Sequence, residues 1–237
     1  MSSRKSIIIV SLLLFVCTIL LTGAVRQITQ TAAVSLTPEK PFLLIDPGHG
    51  GPDGGASTDD GVLEDDINLS VALILKDMLV SHGYEIKMTR TEDAAVSNED
   101  DLDDRSWKTN DMYNRLSLYN AALFTVSIHQ NHFSQSQYHG TQLFYSDNRP
   151  ESRDIAACIR KQVISLLQPD NKRELKLASD SIFLLDRTER PAVIVECGFL
   201  SNPEEAARMQ DPLYQQQMAF AIFCGIVQYA PNFGAIS

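Results

Sequence analysis

The stretch Pro41–Gly55, PFLLIDPGHGGPDGG, decides the fold. Phe42-Leu43-Leu44-Ile45 is a short run of apolar strand formers, the pattern of a strand covered on both faces. Asp46-Pro47-Gly48 ends it, because proline lacks a backbone donor and glycine takes dihedrals closed to other residues. His49 is thereby expected just past the carboxyl end of a central strand, the edge where open α/β sheets bind ligands. The glycines that follow leave room for something to approach the backbone closely. Their spacing fits neither GxGxxG nor GxxxxGK[ST], and no lysine follows, so a phosphate loop does not fit. A glycine-rich turn with an incidental histidine is the competing reading of this stretch alone.

Outward from the loop, Ile67, Val71, Ile74, Leu75 and Met78 recur at helical spacing until His82-Gly83, and Glu64 stands at the amino end of that helix. Acidic residues are common at that end because they complement the helix dipole, which is a sufficient account of Asp65 and Asp66. Tyr84–Thr89 reads as a second strand, closing a strand–loop–helix–strand unit typical of parallel sheets. Further strands are expected at Leu123–Ile128, Gly140–Tyr145, Ile182–Leu185 and Ala192–Val195. Helices are expected at Met112–Ala122 and Ser152–Leu167, from Asn202 onward, and at Tyr214–Tyr229.

The chain of 237 residues, 44% hydrophobic, has material for one sizeable core. Its net charge of −10 argues against nucleic acid, which is bound by neutralising phosphates with lysine and arginine. Arg4 and Lys5 precede Ile7–Val25, an apolar run without a charge, so residues 1–25 read as a signal peptide or a membrane anchor. Nineteen residues just suffice to cross a hydrocarbon core of about 30 Å, which favours the uncleaved anchor, and small residues around Gly23 and Ala32 favour cleavage. Either way the remainder works outside the cytoplasm. Residues 26–40 form a polar linker, and the catalytic domain is expected over 41–230. Cys158, Cys197 and Cys224 show no CxxC spacing and read as small buried hydrophobes, with one disulfide as the alternative in an exported chain. Glu92–Asp111 holds eight carboxylates and little apolar material, and reads as an exposed excursion. Calcium is a rival there, but the EF-hand spacing is absent.

Three strand runs of one kind each present a reactive residue at the carboxyl end: His49, His129 and Glu196. The loop after the first adds Glu64. Two histidines and a carboxylate make the ligand set of many hydrolytic zinc sites, and a second carboxylate serves such sites as general base.

IDPGHGGPDGGA at 45–56, the glutamate fifteen residues after its histidine, SIHQN at 127–131 and VECGFLSNPEE at 195–205 fall in one order. With them the sequence resembles the zinc-dependent N-acetylmuramoyl-L-alanine amidases of the type-3 family, bacterial cell-wall hydrolases, over residues 41–230. The resemblance implies an α/β domain with a twisted, mostly parallel sheet flanked by helices. It implies that His49, Glu64 and His129 ligate zinc and that Glu196 is catalytic. The implied reaction is hydrolysis of the amide joining the lactyl group of muramic acid to L-alanine in peptidoglycan. The short apolar segment and the acidic stretch are similar to the germination-specific amidases of spore-forming bacteria, which act on spore cortex. Other zinc hydrolases of peptidoglycan (an endopeptidase or deacetylase) and a non-catalytic wall-associated zinc protein are the alternatives.

Two departures from the family pattern stand beside the second histidine, where Gln130 and His132 replace smaller residues. They predict altered metal affinity or substrate fit, with His132 a competing donor. Asp46, near His49 in sequence, is the expected carboxylate for orienting a metal histidine. The acidic stretch is a candidate docking surface for a basic protein partner.

Overall fold

The computed structural model describes residues 18–22, 40–96 and 107–235. Thr18–Thr22 are helical, and Pro41–Ser237 forms a compact unit by itself. The apolar run expected to anchor or export the chain lies largely outside the described residues. Among those described, no helix is long and apolar enough to cross a membrane.

In chain order the elements are β1 (Leu43–Pro47), α1 (Glu64–Ser81), β2 (Ile86–Met88), α2 (Trp107–Ala121), β3 (Phe124–Asn131) and β4 (Gln142–Tyr145). They continue with α3 (Pro150–Leu166), β5 (Lys176–Leu177), α4 (Phe183–Arg187), β6 (Ala192–Phe199), α5 (Pro203–Gln210) and α6 (Pro212–Tyr229). The strands make one six-stranded sheet in the order β2-β1-β3-β6-β4-β5, parallel except where β4 meets β6.

All five residues of β1 are buried, as an apolar run without alternation requires. Successive side chains leave a strand on opposite faces. Leu43 and Ile45 of β1, Val126 and Ile128 of β3, and Val193 and Val195 of β6 therefore join one core with α1, α3 and α6. Phe42, Leu44, Ala192 and Ile194 join a second, smaller core with Tyr119 of α2 and Leu184–Leu185 of α4. This is the single α/β domain with a mostly parallel sheet that the sequence predicts.

β4 runs antiparallel for a plain reason. The connection 132–141 is too short for a helical crossover, so the chain re-enters the sheet at the edge it left. The expected strand at Ile182–Leu185 is instead helix α4. A four-residue apolar run has no period long enough to tell a strand from one helical turn. Packing decides here, since Leu184 and Leu185 are both buried against the second core. β5, two residues long, has no sequence signal.

α5 begins where Asn202-Pro203 predicts: Asn202 accepts from the backbone of Glu204 and Glu205. Cys158, Cys197 and Cys224 are free thiols, with Cys197 buried in the first core.

Candidate metal centre

β1, β3 and β6 lie side by side, so their carboxyl ends bring one histidine loop, His129 and Glu196 to a single edge of the sheet. His129 and Glu196 are register partners, lying within β3 and β6 rather than past their ends. Glu64 enters from the first turn of α1.

The loop carrying His49 is held from beneath by two arginines. Arg90 donates through Nε to the Pro47 carbonyl (3.1 Å) and through Nη2 to Gly48 (3.0 Å) and Asp65 (2.9 Å). Arg115, 1% exposed, donates to the carbonyls of Pro47 (3.1 Å) and His49 (2.6 Å). His49 itself has φ of +61°, in the left-handed region that side chains other than glycine disfavour. Four hydrogen bonds to the carbonyls of Pro47, Gly48 and His49 keep it there, and the bond to Asp65 anchors Arg90 on α1.

Arg115 is held in turn by Asp46, paired with its Nη1, and by Asp111 at 2.8 Å from its Nε. Asp46 also accepts from Thr89 (2.6 Å), Tyr119 (2.6 Å) and Ser127 (2.9 Å). Burial alone would raise the Asp46 carboxyl, but the Arg115 charge and these hydroxyls outweigh it and bring it down to about 2. Asp46 thus acts on His49 through Arg115 and the loop backbone. The carboxylate that reaches a histidine ring from outside the cluster is Asp53, 3.2 Å from His49 Nδ1 and 2.9 Å from Lys108 Nζ.

His49, Glu64 and His129 offer donor atoms that lie within 4.8 Å of one another. Glu64 Oε1 is 3.3 Å from His49 Nε2 and 3.1 Å from His129 Nδ1. The same oxygen accepts from the Gln130 backbone (3.0 Å) and Asn68 Nδ2 (3.2 Å), and Oε2 accepts from the Ala56 backbone (2.9 Å). Two glycines make the room. A Cβ on Gly48 would fall 2.1 Å from the His129 ring, and one on Gly55 would fall 2.6 Å from Glu64 Oε2. The donor set suits a hydrolytic metal: two imidazoles and one carboxylate in a space kept clear of side chains.

The electrostatics agree. Burial lowers the basicity of His49, but hydrogen bonds and charge from Glu64 and Asp53 overcome it and raise its pKa to about 9. Burial works against the Glu64 carboxylate, and its two histidines hold it far below the usual range nonetheless. Glu196 stands apart from the donor cluster. Burial, helped by the Glu64 charge and opposed by His129 and His49, raises it to about 7, and its Oε2 is buried without a hydrogen-bond partner. A buried, unsatisfied carboxylate beside a donor cluster is costly to keep and is placed for proton transfer.

A cavity of about 210 Å³ opens beside His49 and His129, with Met112, Ile182, Phe183 and Ile194 as its apolar wall. Part of that wall is α4, the segment whose sequence suggests a strand. Gln130 turns away from the cavity, donating to Asn68 Oδ1, so its bulk is spent against α1. His132 is exposed and outside the donor cluster. Sequence reasoning misses Asp53, Asn68, Arg90 and Arg115. Only Asp53, four residues past His49 in the glycine loop, has a local signal.

Fold and site together define an α/β hydrolase domain that carries, on the carboxyl edge of its mostly parallel sheet, a His-Glu-His group able to hold a metal ion. The family model for N-acetylmuramoyl-L-alanine amidase matches residues 43–228, and the chain belongs to that family. It is 33% identical over 190 residues to the germination-specific N-acetylmuramoyl-L-alanine amidase of Bacillus subtilis, covering 79% of both chains. To the probable cell wall amidase LytH of Staphylococcus epidermidis it is 31% identical over 191 residues, 79% of this chain and 57% of that relative. Among solved structures, the CwlD amidase from Clostridioides difficile, in complex with the GerS lipoprotein, superposes with a TM-score of 0.76 at 35% identity. That match covers 81% of this chain and 99% of CwlD.

Proposed function

We propose that this amidase is a zinc enzyme in which His49, Glu64 and His129 are the protein ligands and Glu196 is the general base. The observation that carries the reading is the convergence of three donor atoms within 4.8 Å beside a buried, unpaired carboxylate. Bound there, zinc supplies Lewis-acid polarisation of the scissile carbonyl and stabilises the charge that develops on its oxygen. Glu196 accepts a proton from the attacking water as the new C–O bond forms, then delivers it to the nitrogen as the C–N bond breaks. The products are the lactyl carboxylate of the muramic acid and a peptide with a free L-alanine amine. Asp53 holds the outer nitrogen of His49 and fixes the ring's orientation.

The substrate follows from the family: the muramoyl–L-alanine bond of peptidoglycan. Spore cortex is the finer assignment, supported by the similarity to the germination-specific relative. An exported, envelope location agrees with the apolar segment Ile7–Val25 and with the relatives' names. The similarity to an amidase seen with a lipoprotein supports a protein partner for this chain too. The acidic stretch remains the proposed surface for it, if the partner is basic. Asp111 is buried on Arg115, Asp93 is exposed and accepts from the Gly51 amide, and Glu99–Asp104 lie outside the described residues.

Digestion of vegetative and cortex peptidoglycan with zinc-loaded protein, followed by mass spectrometry, tests the reading. Stem peptides released with free L-alanine amino termini support it. Products cleaved within the stem, or deacetylated sugars, replace it with an endopeptidase or deacetylase.

A further inference from the structure

The connection 132–141 leaves the strand carrying His129, crosses the carboxyl end of β6 beyond Glu196 and returns as β4. For an exposed segment it is heavily pinned. The Phe133 amide donates to Ser201 Oγ (3.1 Å), Asn202 Nδ2 donates to the carbonyls of Ser136 and Tyr138, and the Gly140 amide donates to both oxygens of Glu205 (3.0 Å each). Thr141 Oγ1 donates to the Cys197 carbonyl (2.8 Å), next to Glu196. Such order without apolar burial is what a preformed binding surface needs.

Against this loop lies a cleft of about 480 Å³ formed with Asp170, Asn171, Lys172 and Arg173. Arg173 is its centre. Its Nε is fixed on the His139 carbonyl (2.7 Å) and its backbone amide on Asn171 Oδ1 (2.9 Å). Its guanidinium lies over the Phe199 ring at 4.4 Å and beside Tyr138 at 5.8 Å. Among the described residues its two Nη groups have no hydrogen-bond partner. The neighbouring acid Glu174 is turned to Arg160, which leaves Lys172 and Arg173 facing Asp170 alone. On a chain of net charge −10, an oriented guanidinium with free Nη groups, backed by a second cation, is a receptor for a carboxylate.

Its distance from the chemistry says which carboxylate. Phe199 is three residues past Glu196 on β6, with a register shift against β3 between them, so the ring that carries Arg173 lies roughly 7–10 Å of strand rise beyond the general base. An extended peptide advances at most ~3.6 Å per residue, so that span is about two to three residues of a stem peptide. We propose that Arg173, with Lys172 and the Tyr138 ring, is a subsite for a stem-peptide carboxylate two to three residues beyond the scissile amide. The proposal rests on the amidase reading above and adds to it the direction in which the peptide leaves the metal centre.

The test uses zinc-loaded protein and two synthetic muramoyl peptides that differ only in whether the carboxylates at those stem positions are free or amidated. The parent is expected to show a KM about tenfold lower for the free acid, ~1.4 kcal/mol, with kcat unchanged. Arg173→Gln should abolish that preference while leaving turnover of the amidated peptide and the zinc content as they were. Calorimetry of the free stem peptide against Arg173→Gln and Lys172→Gln gives a second reading, with melting curves to establish that the loop still folds. Equal KM values in the parent, or an undiminished preference in Arg173→Gln, overturn the subsite. Loss of disaccharide binding in Tyr138→Ala with no carboxylate effect would assign the surface to glycan instead. Absence of turnover of either peptide by the parent counts against the amidase reading itself, and a carboxylate effect seen by calorimetry alone then keeps the subsite.

Discussion

Asp46→Asn is the substitution that tests how the loop is held. The side chain keeps its shape and loses only its charge, beneath a loop that no part of the variant touches directly. In the parent, the fall of the Asp46 carboxyl from the ordinary 3.8 to about 2 corresponds to ~2.4 kcal/mol of stabilisation of the ionised form. The variant also leaves Arg115 buried with Asp111 as its remaining carboxylate, and removing one member of a buried pair costs about 3–5 kcal/mol. We expect about 3 kcal/mol of destabilisation at pH 7 by urea denaturation of the metal-free protein. The pH dependence separates charge from shape. A depressed carboxylate contributes fully above its unfolded value of 3.8, and that contribution fades as pH falls through the folded value of about 2. The gap between parent and variant should therefore shrink by about 1 kcal/mol between pH 5 and pH 3. A loss under 1 kcal/mol at pH 7, or a gap constant over that range, would refute the charge-based account of the clamp.

His49→Ala, Glu64→Ala and His129→Ala should each abolish retention of zinc on gel filtration, because two remaining donors do not hold the ion against a chelator. Full occupancy in Glu64→Ala would return that residue to a helix-end role. Glu196→Gln should keep zinc and fold but lose about 10²–10⁴ in kcat, the usual worth of a general base. Near-parental turnover would remove Glu196 from the mechanism.

The strands that carry the site were legible because they are buried on both faces and need no periodicity to be recognised: Leu43–Pro47, Phe124–Asn131 and Ala192–Phe199 each begin within two residues of the apolar run that signals them. His49, Glu64, His129 and Glu196 were legible because chemistry at strand ends and helix starts leaves a mark in sequence order. α4 was not, since one turn of Phe183–Arg187 owes its helix to the second core rather than to pattern. Arg90 and Arg115 were not, since they act from 41 and 66 residues past His49 on carbonyls, which have no residue identity to match. Asp111, counted among the carboxylates of an exposed stretch, is buried on Arg115. Charge density in a sequence does not say which charges are already answered within the fold.

At the proposed zinc site the histidine cluster sets a proton cost, and that cost is measurable. With Glu64 on one ring nitrogen and Asp53 on the other, His49 is an imidazolium up to a pH of about 9. An imidazole must be neutral to ligate a metal, so zinc bound at the proposed site would have to displace that proton. At pH 7 the displacement weakens apparent affinity about a hundredfold relative to a pH above 9, at tenfold per unit. The imidazolium pairing works in the opposite sense on the fold: it stabilises the metal-free protein below about 6.5 and is lost as pH rises through 9. Rising pH therefore loosens the empty cluster and tightens its hold on zinc together. Competition with a chelator between pH 7 and 9 should show affinity rising nearly tenfold per unit, with about one proton released per zinc in weakly buffered solution at pH 7.5. Asp53→Asn removes one of the two charges that hold the proton, so the affinity should level off at a lower pH in that variant, with tighter binding at pH 7. An affinity flat across pH 7–9, or an unmoved profile in Asp53→Asn, would mean that the carboxylates orient His49 without holding its proton.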